Sequence, residues 1–197
     1  MKRVRLTQTF RADQVRRYVE AVCPDVSERI SVALIPPARD RAVVERFAGA
    51  GWLLRDDVLR FLAAHNAAGY GVYMTPNPLA PGACRRSKET TKHVSSVWLD
   101  LDQGGEAAID RLARQVARPT TIVKTSPGKN QVLWRLAAPM DVAAGERILR
   151  GLAAAFGGDR AATDACRLLR LPGFVNTKYP GFVPRPREMD DGGRQLK

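Results

Sequence analysis

Apolar positions recur along this chain at two spacings, and the switches between them mark out its elements. Ala12–Val22 repeats at helical spacing, Ile30–Ile35 alternates like a strand, and Leu53–Ala64 returns to helical spacing. Gly69–Met74 reads as a strand that stops at Thr75-Pro76-Asn77-Pro78. From Asn77 to Lys92 the chain carries Pro78, Pro81, Gly82 and the run Arg85-Arg86-Ser87-Lys88, which reads as a mobile basic loop. A more regular series follows. Val94–Asp102 is expected as a strand, Glu106–Val116 as a helix with Ile109, Leu112 and Val116 on one stripe, and Thr120–Thr125 as a strand. The turn Ser126-Pro127-Gly128-Lys129 then leads into the strand Gln131–Leu136, closing a hairpin. Ala143–Phe156 completes the series as a helix opened by Asp141 and closed by Gly157-Gly158.

Strand-helix-strand-strand-helix is most of a ferredoxin-like, RNA-recognition-type βαββαβ unit. The expected class is therefore α+β, an RNA-recognition-like sheet with an N-terminal α/β extension, although no final strand stands out. A chain of 197 residues fits one domain with at most a modest appendage. The expected organisation is an N-terminal α/β portion over 1–68, a motif-bearing portion over 69–183 and a flexible polar tail over 184–197.

One strand breaks its own pattern. In Val97-Trp98-Leu99-Asp100-Leu101-Asp102 two aspartates share a face at a spacing of two, with Trp98 beside them and Val97, Leu99 and Leu101 opposite. Carboxylates buried on a strand are costly unless a cation neutralises them, and a divalent metal is the natural partner. The other reading ends the strand at Leu99 and lets both acids begin a solvated turn before Gln103-Gly104-Gly105. On the return strand Gln131, Leu133 and Arg135 face one way and Val132, Trp134 and Leu136 face the core, so Gln131 and Arg135 share the aspartates' face. The turn offers backbone N–H groups, the Ser126 hydroxyl and the Lys129 ammonium, which suit phosphate oxygens but also occur in ordinary turns. A third stretch, Asp164-Ala165-Cys166-Arg167-Leu168-Leu169-Arg170-Leu171-Pro172-Gly173-Phe174-Val175-Asn176-Thr177-Lys178, sets two arginines three residues apart. They suit planar recognition of phosphate, or they pair with carboxylates.

Charge narrows the partners. With 32 Lys and Arg against 20 Asp and Glu the chain carries a formal +12, which favours polyanions and above all nucleic acid. Arg85, Arg86, Lys88 and Arg135 are the expected nucleic-acid contacts. Three widely spaced cysteines with no Cys-x-x-Cys pair indicate neither a disulfide framework nor a zinc ribbon, and Cys84 with His93 supplies too few ligands for structural zinc. No apolar run of about 18 residues is present, so a membrane partner is not expected and the reading is a soluble, cytoplasmic protein.

Taken in order, Trp-Leu-Asp-Leu-Asp, Thr-Ser-Pro-Gly-Lys-Asn-Gln-Val-Leu-Trp and Asp-x-x-Arg-x-x-Arg-Leu-Pro-Gly-x-x-Asn-x-Lys resemble the RepB-type replication primases of plasmids and mobile elements, a branch of the archaeo-eukaryotic primase superfamily. The resemblance spans about Gly69 to Lys178, and its last block is the most specific part. It implies DNA-templated nucleotidyl transfer that makes or extends primers on single-stranded DNA from NTPs or dNTPs, with Mg²⁺ or Mn²⁺ in a two-metal site. Carried over by position, Asp100, Asp102 and Asp164 are the metal ligands and catalytic carboxylates. Ser126, Lys129, Gln131, Arg167, Arg170 and Lys178 line the nucleotide.

Two departures stand out. Many relatives carry histidine in the second motif; here Gln131 or Asn130 occupies the place, which preserves a hydrogen bond to a nucleotide but not a proton shuttle. Some plasmid primases add a helical bundle that helps recognise the start site, so the resemblance also implies a helical initiation domain, a helicase or another replication protein as partner. The alternative within the same fold is a primase-like module that binds single-stranded nucleic acid or a replication partner without catalysis. A haloacid-dehalogenase-type phosphatase also opens on Asp-x-Asp, but Gly104 stands where such sites want Thr or Val, and Asp190-Asp191 lies in the polar tail. Nothing points to the sugar binding of Asp-x-Asp glycosyltransferases, and His65 and His93 do not form the paired site of a rolling-circle relaxase.

Overall fold

The computed structural model describes residues 10–38, 41–102, 105–179 and 181–187. Two four-stranded antiparallel sheets share one apolar cluster. The first contains β1 (Arg29–Ile35), β2 (Val44–Gly49), β3 (Gly71–Met74) and β7 (Leu169–Arg170) in the order β2-β1-β3-β7. Helices α1 (Ala12–Val22) and α2 (Asp56–Ala67) bring Val15, Val19, Leu59 and Leu62 into the core with Val32, Leu34 and Val72 of that sheet. The second sheet contains β4 (Val94–Leu101), β5 (Thr121–Ser126), β6 (Lys129–Met140) and β8 (Arg185–Pro186) in the order β4-β6-β5-β8. Helices α3 (Gly105–Gln115) and α4 (Val142–Phe156) complete the fold.

The β4-β6-β5 order is that of strands one, three and two of the expected βαββαβ unit, so the RNA-recognition-like core is present. The strand that would complete it is diverted. After α4 the chain crosses to the first sheet, where β7 pairs with β3, and returns only as β8 on the far edge beside β5. This exchange explains why no final strand was legible, and it makes the N-terminal sheet depend on residues from both halves of the chain. Sequence reasoning also missed β2, which pairs along its length with β1. The expected flexible tail begins one strand too early, since Arg185 and Pro186 pair with Lys124 and Val123. Residues 188–197 lie outside the described residues.

The segment expected as a mobile basic loop is instead strapped across the molecule. Ala80 N–H donates to Thr90 O and Leu79 N–H to Arg29 O, while Arg29 Nε donates to Ala83 O. Arg86 bonds Glu45 and Cys166 O, and Lys88 Nζ meets Glu146 at 2.7 Å. Asn77 is buried within it, its Oδ1 accepting from the N–H groups of Ser95 and Ser96 and its Nδ2 donating to Ala165 O. These backbone and side-chain bonds hold a Pro- and Gly-containing stretch in place.

Helix α4 delivers the chain to the site. Asp141 caps it, accepting from Ala144 N–H at 2.8 Å, and Gly157 ends it in the left-handed region at φ 72°. Gly158 then passes so close to β4 that an added Cβ would lie 2.3 Å from Leu99 Cδ1 and 3.2 Å from Asp100 O. In that passage Asp159 N–H donates to Asp100 O at 2.9 Å. The 3-10 turn Arg160–Ala162 wraps the edge of β4, and Trp98 Nε1 donates to Ala162 O.

Candidate active site

Between the two sheets lies a cleft of about 360 Å³. Its walls include Asp100 and Asp102 on one side, Ser126, Lys129 and Gln131 of the hairpin, and Arg167, Arg170 and Lys178 of the crossing segment. Asp100 and Gln131 are direct cross-strand partners, and the glutamine amide donates to the carboxylate. Burial, reinforced by neighbouring Asp102 and Asp159, pushes the Asp100 pKa up to about 6, against the pull of the Gln131 hydrogen bond and Lys129. Asp102 is more exposed and meets Lys129 Nζ at 2.7 Å, a contact that holds the ammonium above its ordinary pKa. The strand therefore runs past Leu99 through Asp100 and ends at Leu101, so Asp100 stands deep on the strand and Asp102 at the mouth, in the bend that follows.

Strand parity decides the second motif. Gln131 faces the cleft, whereas Asn130 is fully buried on the other face, where its Oδ1 accepts from Arg187 Nη2. Among the described residues, buried Gln131 Oε1 has no hydrogen-bond partner, nor does Arg167 Nε. Asn176 fixes the far wall by donating to Thr125 O at 2.8 Å and accepting from Lys178 N–H.

Five of the sequence candidates lie elsewhere. Asp164 does not line the cleft; it pairs with Arg167 at 2.6 Å and accepts from Cys166 Sγ. Of the two arginines read as phosphate ligands, the first has a carboxylate partner three residues before it in its own turn. Arg86 and Lys88 are committed to Glu45 and Glu146, and Arg85 is exposed on the same strap. Arg135 shares the strand face of Gln131 but pairs with Ser96, two steps further from Asp100, and is exposed outside the cleft. Conversely, Asp159, Tyr73, Thr125, Asn176 and Tyr179 line the cleft and were not among the site candidates. Gly157-Gly158-Asp159 carried a signal for the acid: a helix stop, a residue without a side chain at a close approach, then a carboxylate.

The sequence profile of the RepB DNA-primase N-terminal domain matches residues 38–192. The chain belongs to that family. Among solved structures, the catalytic domain of primase RepB′ in complex with initiator DNA is similar over 93% of this chain and 87% of its own, at 23% identity and a TM-score of 0.71. The AEP domain of the cyanophage S-2L primase-polymerase matches over 91% of both chains at 19% identity and a TM-score of 0.72. A longer RepB′ primase structure matches 94% of this chain over 56% of its own, at 22% identity and a TM-score of 0.69. At these identities the structural likeness carries the fold, which is that of the archaeo-eukaryotic primases. No curated protein matches.

Within this primase fold the cleft combines acids that repel one another with cations poised for anions. Among the described residues no three His, Cys, Asp or Glu side chains converge closely enough to hold a metal ion. The donor chemistry still fits a hard divalent cation, because Mg²⁺ is commonly held by one or two carboxylates with substrate phosphate completing its shell. The raised pKa of Asp100 marks the electrostatic problem that such a cation would relieve. Among the described residues no helix is long and apolar enough to cross a membrane.

Proposed function

We propose that this primase-family domain is a DNA-templated nucleotidyltransferase that synthesises or extends primers on single-stranded DNA in the replication of a plasmid or mobile element. The observation that carries the reading is the confrontation in one cleft of Asp100 and Asp102 with Lys129, Arg167, Arg170 and Lys178. The carboxylates suit divalent cations, the basic side chains suit a triphosphate, and a cleft between two sheets admits both. Asp100 and Asp102 would hold Mg²⁺ or Mn²⁺, with Asp159 rather than Asp164 as the further acid that lines the cleft. Held there, divalent ions would supply activation of a primer 3′-hydroxyl and charge neutralisation for the departing pyrophosphate.

The chain's own residues do the rest. Gln131 holds Asp100 by its amide N–H and offers its unpartnered Oε1 to a donor on the incoming NTP or dNTP. Lys129, now paired with Asp102, would exchange that carboxylate for a phosphate oxygen as the nucleotide arrives. Ser126 at the end of β5 adds a hydroxyl, and Arg167, Arg170 and Lys178 supply charge on the opposite wall. The template is held by electrostatics, with exposed Arg85 and Arg135 available to its phosphates and Arg86 and Lys88 engaged internally. A helical initiation domain, helicase or other replication protein would supply start-site selection.

The test is primer synthesis and, separately, extension of a supplied primer on single-stranded DNA with Mg²⁺ or Mn²⁺. Products that vanish in Asp100→Ala/Asp102→Ala, fall steeply in Asp159→Asn and persist in Asp164→Asn are the expected result. Absence of product in the wild type, with salt-sensitive DNA binding intact, would replace the enzyme with a non-catalytic DNA-binding module.

A further inference from the structure

On the wall facing the aspartates, Tyr73 of β3 lies directly across from Arg170 of β7. The guanidinium carbon sits 4.6 Å from the centroid of the Tyr73 ring, and Nη2 donates to the Tyr73 hydroxyl at 2.5 Å. Arg170 is only 9% exposed, yet it and Tyr73 both line the cleft. Its backbone anchor is short: β7 contains two residues, extended by Leu171 N–H donating to Val72 O. A long side chain on so brief a strand needs another restraint, because a flexible arginine loses much rotamer freedom when it is held in one place.

The ring that supplies the restraint is itself placed by a missing side chain. Gly71 has an ordinary backbone conformation, since it is not among the glycines with positive φ. Glycine inside a strand weakens it, and often marks a close approach. Here a Cβ on Gly71 would meet Tyr73 Cε2 at 2.8 Å and the phenol oxygen at 3.2 Å. The tyrosine folds back along its own strand over the space that Gly71 leaves, and in that pose its ring and hydroxyl both reach Arg170.

We propose that Tyr73 is a positioning residue for Arg170, that Gly71 makes room for it, and that the set orients the guanidinium in advance for the triphosphate of the incoming nucleotide. This rests on the reading of the cleft as a nucleotide site. The guanidinium carbon lies over the ring and one N–H is spent on the hydroxyl, which leaves the remaining N–H donors for phosphate oxygens. Holding the side chain before the ligand arrives lowers the ordering cost of binding.

The experiment measures ATP and dATP binding calorimetrically in Mg²⁺ without DNA, together with kcat and KM in primer extension, for Tyr73→Phe, Tyr73→Leu, Gly71→Ala and Arg170→Ala. Oligo(dT) affinity and thermal melting serve as controls. Tyr73→Leu, which loses ring and hydroxyl, is expected to weaken nucleotide binding about tenfold. Tyr73→Phe and Gly71→Ala should each weaken it about threefold. KM should rise with these losses while kcat and oligo(dT) affinity stay within about twofold, a split that general loosening of the fold would not produce. Unchanged nucleotide affinity in Tyr73→Phe, Tyr73→Leu and Gly71→Ala, against a clear loss in Arg170→Ala, would overturn the positioning role and leave the nucleotide site standing. Unchanged affinity in Arg170→Ala would overturn both. If Tyr73→Leu fails to fold, Tyr73→Phe and Gly71→Ala decide.

Discussion

Two charge clusters on this molecule, some of whose residues are neighbours in sequence, have opposite characters. Around Glu146 every demand is met: the buried carboxylate accepts from Lys88 Nζ and Ala165 N–H, and Arg150 lies 3.5 Å away. Burial alone would push the Glu146 pKa up, but these partners outweigh it and hold it below the ordinary glutamate range. Around Asp100 the balance is reversed, with the pKa pushed up by burial and by Asp102, and with Gln131 Oε1 and Arg167 Nε buried without partners. The first cluster has already collected its counter-charges and stabilises the fold. In the second, Lys129 pairs with Asp102 but Asp100 keeps a raised pKa, and Arg167, though paired with Asp164, still has a buried N–H to give, which is the condition of a site built for a ligand.

Neutralising one acid in each cluster separates them most sharply. Asp100→Asn should lower primer extension by about a hundredfold or more, while making the metal-free protein more stable at pH 8. A carboxyl whose folded pKa is raised contributes stability below its unfolded value and loses it as pH rises through the folded value, here between about 4 and 6. The gain at pH 8 should be on the order of 1–2 kcal/mol after allowance for partial solvent access, and it should disappear at pH 4. Urea unfolding in EDTA at the two pH values measures it, and destabilisation at pH 8 would contradict the account.

Glu146→Gln should have the opposite signature. Loss of the charge-assisted contacts is expected to cost about 1–2 kcal/mol at pH 7, read from the urea midpoint at constant slope, with extension rates within about threefold of wild type. Because the folded pKa of Glu146 is lowered, its contribution is present above the unfolded value and lost as pH falls through the folded one. The gap between wild type and variant should therefore close in acid.

The smallest effect belongs to the exposed arginines. Arg85→Ala and Arg135→Ala should each lower the slope of log affinity for single-stranded DNA against log salt by about 0.7 with little change in stability. Arg86→Ala, which removes the partner of Glu45 and the donor to Cys166 O, should leave that slope in place and lower the melting temperature instead.

The hairpin was legible because strand parity is a strict rule: Gln131 faces Asp100 as its alternation requires, and Asn130 faces away. What parity cannot reveal is whether a face is covered. Leu133 and Trp98 share the aspartates' face yet are buried, and the Trp98 indole N–H is taken up by Ala162 O of the turn that follows α4. The same crossing hid β7, whose pairing with β3 joins residues nearly a hundred positions apart and leaves no local pattern. The strap of 77–92 misled by composition, since the partners that fix Arg86 and Lys88 lie on β2 and α4. Asp164 and Asp159 exchanged places for a local reason: a carboxylate three residues before an arginine is captured by it, while one that follows two glycines at a helix end is carried to the strand.

Asn77 has a mechanical consequence. One amide grips the start of the aspartate-bearing strand through Ser95 and Ser96 and the root of the arginine-bearing segment through Ala165, alongside the bonds from Trp98 to Ala162 O and from Asn176 to Thr125 O. Such a joint belongs to neither strand ladder, so the spacing between the aspartates and the arginines is set by a buried polar side chain as well as by the apolar core the two sheets share.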